Sequence, residues 1–175
     1  FFPNIPAMID FIHSNFDTEF TAQLRSAIIG KEEIIKQHFI DEIKDGSFTI
    51  DDYLLDAEGE IDTESIIVDI VEFNIISFNT ESTQVQVIAK ASYDLTVWAD
   101  DETACYKDDD TKEWVYFGRN QYNVAVKRRV INAELELSYD SHPNSLNDTL
   151  EVQSVSLPAE FFYVDYENSN FEWKQ

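Results

Sequence analysis

Residues 84–98 read QVQVIAKASYDLTVW and carry the clearest structural pattern in the chain. Apolar or small residues alternate with mostly polar ones, and Ile88 and Trp98 are the exceptions. Because successive side chains of a strand point to opposite faces, the alternation predicts a long antiparallel strand with one buried face. The residues expected on that buried face are Val85, Val87, Ala89, Ala91, Tyr93, Leu95 and Val97.

The sequence around this strand predicts further strands. Residues 66–78 are rich in β-branched and aromatic side chains, which favours a hairpin partner joined through a turn at residues 79–82. Residues 150–157 and 161–166 predict the final strands, and Pro158 separates them.

Residues 114–139 predict a second hairpin-like unit with an irregularity inside it. Val124 and Val126 occupy even-numbered positions, whereas the alternating apolar residues from Ile131 onward occupy odd-numbered positions. A shift of one residue moves every following side chain to the opposite face of a sheet. The change therefore indicates a β-bulge near residues 127–130, or two strands that meet there.

The first 45 residues predict three short helices. One runs near residues 5–12, a second begins near Thr18 and breaks at Gly30, and a third ends at Gly46 in the left-handed conformation. We expect their apolar stripes to pack on one face of the sheet.

These patterns predict an α+β fold, in which an N-terminal helical cluster precedes a mostly antiparallel sheet of about six or seven strands. The expected organisation is a helical lead-in over residues 1–46, a β-rich domain over residues 47–166 and a tail over residues 167–175. The tail either frays or docks through Phe171 and Trp173.

The composition excludes several classes of partner. The chain has 12 Lys and Arg against 35 Asp and Glu, and its net charge is −23. Such a charge argues against direct binding of nucleic acid or of an anionic membrane face. No apolar run approaches the ~20 residues that a membrane span requires. Cys105 is the single cysteine, so no internal disulfide forms, and we expect a cytoplasmic protein.

The acidic residues concentrate in two clusters, and one basic group interrupts the pattern. The first acidic cluster comprises Asp51, Asp52, Asp56, Glu58, Glu60 and Asp62. The second acidic cluster comprises Asp100, Asp101, Glu102, Asp108, Asp109 and Asp110. The basic group is Lys127, Arg128 and Arg129.

Four interpretations of the acidic clusters remain open. They bind a divalent cation, although the spacing of an EF-hand is absent. They mimic nucleic-acid phosphates, or they face a basic protein or a basic domain of the same protein. The simplest interpretation is that they are solvated turns and edges that keep an aromatic-rich sheet soluble. The basic group is explained most simply by pairing with acidic strands inside the sheet.

The sequence shows no signature of catalysis. His13, His38 and His142 have no Cys or acidic neighbour at metal-ligand spacing, and the acids around Cys105 disfavour its thiolate. There is no glycine-rich phosphate loop, and the 35 acids offer too many pairs to single one out for glycoside hydrolysis. We therefore predict a non-catalytic chain without a cofactor or a metal.

Four strings in the β region carry a resemblance to a known family. They are ASYD at 91–94, DDETACYKDDD at 100–110, VAV at 124–126 and AELELSYD at 133–140. They resemble the region that follows a PIN-like nuclease domain in a family of bacterial proteins, and residues 6–16 are similar to the connector there. The resemblance implies a metal-dependent ribonuclease domain whose acids hold Mg²⁺ or Mn²⁺ upstream of Phe1. The chain lacks an initiator Met, and we expect it to be a piece of a longer or processed protein.

Two functions are expected from these observations. The first is an accessory or regulatory module of a nuclease-like protein, which acts through contact with a protein or a neighbouring domain. The alternative is a free-standing acidic inhibitor or immunity-type protein that binds a basic enzyme by charge complementarity. An enzyme whose acids bind a divalent metal is a third class.

Overall fold

A computed structural model describes residues 5–51, 58–100, 103–140, 146–165 and 171–174. Its helices are α1 (Ile5–Gly30), α2 (Glu32–Asp45) and α3 (Leu146–Thr149), with one 3₁₀ turn over Ala159–Phe162. Its strands are β1 (Phe48–Asp51), β2 (Glu58–Ile61), β3 (Ile67–Phe78), β4 (Ser82–Asp100), β5 (Cys105–Lys107), β6 (Trp114–Tyr116), β7 (Arg119–Ser138), β8 (Glu151–Ser156), β9 (Tyr163–Asp165) and β10 (Phe171–Lys174). The expected α+β class and the mostly antiparallel sheet are confirmed, and the N-terminal position of the helices is confirmed in part, because α3 follows β7.

The prediction of two separate helices within residues 5–30 is wrong, because α1 runs through them without interruption. Pro6 lies in the first turn, where a helix does not need the missing N–H, and no Gly or Pro follows it before Gly30. Thr18, expected to begin or cap a helix, lies inside α1. The next helix follows directly: the Lys31 N–H donates to the Ile28 carbonyl over 3.0 Å, and α2 begins at Glu32.

Gly46 follows the end of α2 as expected, but its predicted left-handed conformation is wrong. Its φ of −77° and ψ of 148° are those of extended backbone. The glycine is needed for space, because a Cβ at this position would overlap the ring of Phe162. The reason for glycine is therefore a tertiary contact rather than a turn.

Strands β4 and β7 pair along almost their whole length and form the centre of the sheet. Beside β4 lie β3 at one end and β2 at the other, and β8 and β10 lie in the same way beside β7. From β2 the sheet continues to β1 and then to β9, which is parallel to β1. Within the described residues this sheet has eight strands, and β5 and β6 form a separate two-stranded sheet.

The predicted hairpin of β3 and β4 is confirmed, and its turn lies between Phe78 and Ser82. The predicted buried face of β4 is also confirmed, since each of its seven residues is at most 2% exposed. The prediction of a strand over residues 150–157 is confirmed by β8, whereas residues 161–166 begin in a 3₁₀ turn before β9. Phe171–Lys174, in the expected tail, pairs with β7 as β10.

Both long helices cover the apolar face of the sheet, as expected. Their buried side chains join those of β4 and β7 in one core, whose burial is the main favourable term in folding. Among the side chains that the structure describes in these two helices, the buried ones are Phe20, Leu24, Ala27 and Ile28 from α1, and Ile35, Phe39 and Ile43 from α2.

The predicted bulge is confirmed within β7. Tyr93 pairs with Val126 and Ala91 with Arg129, so Ser92 alone faces both Lys127 and Arg128. Arg128 adopts a left-handed φ of 51°, and its N–H donates to Ser92 Oγ over 3.0 Å. The extra residue turns Arg129 toward the buried face that Ala91 and Tyr93 share.

Arg129 bridges strands that are not neighbours in the sheet. Its Nη2 donates to the carbonyls of Glu160 and Tyr163 over 2.6 and 2.7 Å, and its Nη1 donates to the Tyr93 hydroxyl over 3.2 Å. Tyr163 lies on β9, and three strands separate β9 from β7 in the sheet order. The sheet therefore curls until its far strand meets the bulge.

A cluster of aromatic rings fills the space where the curled sheet closes, and we call it the seam. Phe161 is 3% exposed, and its ring centroid lies 5.8 Å from Tyr93, 6.1 Å from Phe48 and 5.2 Å from Phe162. The guanidinium carbon of Arg129 lies 5.1 Å from the Phe161 centroid, which is a cation–π geometry. The seam residues are Phe48, Tyr93, Arg129, Phe161 and Phe162.

Candidate functional site

The first acidic cluster lies on β1, β2 and the turn after β2. Asp51 and Glu58 belong to these strands, and Glu60 and Asp62 are exposed. Residues 52–57, which include Asp52 and Asp56, lie outside the described residues. The Asp62 carboxylate accepts the Glu64 N–H over 3.0 Å and thereby orders its own turn.

The second acidic cluster lies at the end of β4 and in the turn that joins β5 to β6. Asp100 forms a 3.4 Å ion pair with Arg119, its cross-strand neighbour on β7. Asp101 and Glu102 lie outside the described residues. Because Glu58 pairs with Trp98 near the end of β4, the structure brings the β2 part of the first cluster to the same end of the sheet.

The β5–β6 hairpin extends from that end of the sheet, and it is the candidate site. Its cross-strand pairs are Cys105 with Tyr116, Tyr106 with Val115, and Lys107 with Trp114. The Phe117 N–H donates to the Ala104 carbonyl over 3.0 Å, which continues the ladder toward the main sheet.

Alternation divides the hairpin side chains between two faces. One face carries Tyr106, Val115 and Phe117, and we call it the Tyr106–Phe117 face. Tyr106 is 52% exposed and Phe117 is 71% exposed, and their ring centroids lie 6.4 Å apart. The opposite face carries Trp114, which is 58% exposed, opposite Lys107.

The turn of the hairpin is ordered by Asp108. Its Oδ1 accepts the N–H groups of Asp110 and Thr111 over 2.8 and 3.0 Å, and its own N–H donates to the Glu113 carbonyl. Two backbone hydrogen bonds hold the pKa of Asp108 below its ordinary value, and the one from Thr111 has a larger effect than the one from Asp110. Lys112 completes the turn with a left-handed φ of 62°.

The turn presents exposed carboxylates on the same hairpin as the exposed rings. Asp109 and Asp110 are exposed at the tip, and the Asp109 side chain is fully exposed. Glu113 is exposed and, by alternation from Val115, falls on the Tyr106–Phe117 face. The Asp109 carboxylate lies 3.9 Å from Lys112 Nζ, which also donates to the Asp109 carbonyl, and the Lys112 side chain is itself highly exposed. The arrangement is a negatively charged, aromatic surface on a hydrogen-bonded hairpin, and it can bind a cationic or apolar protein segment.

The basic group does not form one surface. Lys127 and Arg128 are exposed at the bulge, whereas Arg129 points into the seam and donates to carbonyls and a hydroxyl. The sequence revealed the bulge through the parity change, but it gave no indication of Arg129 as the bridge to β9. That role depends on a curl of the sheet that no local pattern encodes.

A groove of about 360 Å³ lies between α2 and β8 and includes the half-buried His38. Lys31 and Ile34 line its α2 side, and Asp148 and Glu151 line the other. Among the residues that the structure describes, no group of three His, Cys, Asp or Glu side chains is placed to hold a metal ion.

The hairpin was missed by the sequence analysis, which assigned residues 100–110 to acidic turns. Strands of three residues are too short to show a periodic pattern. The available signal was the pair of aromatic strings CYK and WVY on either side of an Asp-rich turn.

Comparison of the chain with protein-family models, with curated proteins and with solved structures gives no match in any of the three. Over the described parts of the chain, no helix combines the length and the apolarity that crossing a membrane requires.

Proposed function

We propose that this chain is a non-catalytic interaction module of a cytoplasmic bacterial protein, resembling the region that follows a PIN-like ribonuclease domain. It acts by contact with another protein or with a neighbouring domain. The observation that carries the proposal is the Tyr106–Phe117 face, where two large rings are exposed on an ordered hairpin.

The physical argument concerns where this fold keeps its other aromatic rings. The seam buries Phe48 and Phe161, which are 7% and 3% exposed, so the chain has a core that accommodates rings. Exposure of Phe and Tyr rings to water is unfavourable in free energy, and aromatic side chains are enriched at protein interfaces. A hairpin that holds them outward in a fixed turn is pre-organised for docking, which lowers the entropic cost of binding.

Site-specific photo-crosslinking in the natural full-length protein tests the proposal. A photoreactive phenylalanine analogue replaces Phe117, and a matched control places it at Gln86, which is exposed on the outer face of β4. We expect a discrete crosslink from position 117 and none from position 86. The absence of a crosslink from position 117, or equal crosslinking from both positions, would contradict the proposal.

The identity of the crosslinked partner separates the two functions expected from the sequence. A crosslink to another segment of the same polypeptide, preceded by a nuclease-type domain in the reading frame, supports the accessory module. A crosslink to a separate basic protein supports the acidic inhibitor, whose association should slow steeply as salt screens the charge. The exposed carboxylates at Asp109 and Asp110 favour keeping this second candidate.

A further inference from the structure

We propose that the Tyr106–Phe117 face binds an arginine-bearing segment of the partner protein. The inference rests on the proposed interaction function and specifies the chemistry of what docks there. The guanidinium group of the segment lies over the Tyr106 and Phe117 rings, and the exposed carboxylates of the same hairpin attract its positive charge.

The exposed rings favour a flat cation. Tyr106 and Phe117 lie 6.4 Å apart, and their planes are inclined at 35°, so both rings can contact one extended side chain. The face of an aromatic ring carries partial negative charge and attracts a cation within about 6 Å of its centroid. A planar guanidinium also stacks on rings, whereas the compact ammonium group of lysine is held by its hydration.

The charges around the rings exclude an acidic partner. Asp109, Asp110 and Glu113 are exposed at the tip, within a chain whose net charge is −23. Of the two lysines of the hairpin, Lys107 pairs with Trp114 on the opposite face, and Lys112 in the turn lies 3.9 Å from the Asp109 carboxylate. That exposed ion pair is weak, and Asp110 and Glu113 keep this end of the hairpin acidic. A cationic segment is therefore the complementary occupant of this face.

The seam of the same molecule shows the proposed chemistry in a buried form. There, Arg129 lies over the Phe161 ring at 5.1 Å while its N–H groups donate to two carbonyls and one hydroxyl. The hairpin also carries aromatic rings and oxygen acceptors on one element, but at the surface. The arginine that completes the arrangement would come from the partner.

Peptide binding to the folded chain tests the inference. The probes are a nonapeptide of alternating arginine and glycine and its lysine counterpart of equal charge, both measured by fluorescence anisotropy at 150 mM salt. One variant combines Tyr106→Ala with Phe117→Ala and keeps the charge. A second combines Asp109→Asn with Asp110→Asn, and the matched control is Trp114→Ala on the opposite face.

We expect the wild type to bind the arginine peptide more tightly than the lysine peptide. The double aromatic variant should lose about tenfold in affinity for the arginine peptide, consistent with one or two cation–π contacts, and little for the lysine peptide. The double Asn variant should weaken both peptides, and Trp114→Ala should change either affinity by less than about twofold. Circular dichroism checks that every variant folds.

Equal binding of the two peptides, or an unchanged arginine affinity in the double aromatic variant, overturns the inference. Either result means that the peptides attach through net charge alone. Amide chemical shifts that map to the first acidic cluster instead of the hairpin have the same consequence. The crosslink from position 117 is read independently, so it can support the interaction function even where the arginine chemistry fails.

Discussion

The seam and the β5–β6 hairpin use the same kinds of side chain in opposite ways. In the seam, the rings of Phe161 and Tyr93 are buried and the cation of Arg129 comes from the chain itself. On the hairpin, the rings of Tyr106 and Phe117 are exposed and the neighbouring charges are carboxylates. The seam therefore closes the sheet by contacts within the chain, whereas the two rings of the hairpin stay largely exposed.

The difference arises from the backbone rather than from composition. The left-handed residue Arg128 adds one position to β7 and turns Arg129 inward, where it meets the carbonyls of Glu160 and Tyr163. The hairpin belongs to a separate two-stranded sheet, and no helix of the described residues covers either of its exposed rings. Similar side chains are thus buried or exposed according to how the sheet curls around them.

The largest contrast is expected between a ring in the seam and a ring on the hairpin. Phe161→Ala removes a 3% exposed ring with three aromatic neighbours and should lower the free energy of unfolding by about 3–5 kcal/mol. Phe117→Ala removes a 71% exposed ring and should change it by less than about 0.5 kcal/mol. Urea unfolding followed by circular dichroism measures both, and similar losses would remove the distinction between the two regions.

The two neighbouring arginines of the bulge provide the next contrast. Arg129→Met leaves the carbonyls of Glu160 and Tyr163 without this donor and should cost about 2–3 kcal/mol in unfolding free energy. Arg128→Met makes the same chemical change at an exposed side chain and should cost less than about 0.5 kcal/mol. If the two variants are equally stable, the hydrogen bonds from Arg129 to Glu160 and Tyr163 do not stabilise the fold.

The glycines at the two helix ends test how tightly the seam packs. Gly46→Ala places a methyl group into the Phe162 ring, which Phe48 and Phe161 hold, and should cost about 1–3 kcal/mol. Gly30→Ala meets no atom within 4 Å at the end of α1 and should be neutral or stabilise by up to about 1 kcal/mol. Thermal unfolding of the two variants measures the difference. A Gly46→Ala protein as stable as the wild type would mean that Phe162 moves aside freely.

Local patterns predicted the centre of the fold but not its long-range contacts. The alternation in β4 and the parity change before Ile131 are backbone features that a strand imposes on its own sequence, and both were predicted. The continuity of α1 was not predicted, because packing of Phe20 and Leu24 on the sheet outweighs the local capping preference near Thr18. The glycine at position 46 serves a ring far away in sequence, which no local rule reveals.

The sequence predicted the acidic residues of the candidate site but not its exposed aromatic residues. Asp109 and Asp110 belong to the acidic cluster that the sequence singled out, and they lie at the tip of the hairpin. Tyr106 and Phe117 were not singled out, because an aromatic residue in a sequence is more often buried than exposed. Exposure is a property of the folded surface, so only the structure could distinguish these rings from those of the seam.

Alkaline pH should weaken the seam through Tyr93. Burial raises the pKa of Tyr93 above its ordinary value of 10.0, and Arg129 opposes that rise. Since the folded state favours the neutral phenol, the stability it contributes is present below pH 10 and is lost as the pH rises toward the folded-state pKa. Burial of Tyr139 acts in the same direction.

Tyr93→Phe isolates this contribution. The variant loses a hydrogen bond from Arg129 and should be less stable than the wild type by about 1 kcal/mol at pH 8. It no longer carries the phenol that ionises, so only the wild type loses this contribution as the pH rises. The difference in melting temperature between the wild type and the variant should therefore shrink between pH 8 and pH 11. A difference that stays constant or widens over this range would show that Tyr93 does not titrate with unfolding.

The smallest effect is expected at the hairpin turn, where Asp108 titrates at the opposite end of the pH range. Its pKa is lowered from 3.8 by the N–H groups of Thr111 and Asp110, so the charged form stabilises the turn. That stabilisation is present above the ordinary pKa and is lost as the pH falls through the lowered one. Amide resonances of Asp110 and Thr111 should shift with a midpoint below pH 3.8, and seam resonances should not follow them.

Two variants of Asp108 test the turn itself. Asp108→Asn, which keeps the acceptor, should retain the turn better than Asp108→Ala, and neither should change global unfolding measurably. Because the turn holds carboxylates of the same hairpin in place, Asp108→Ala should also weaken peptide binding at the Tyr106–Phe117 face without loosening the seam.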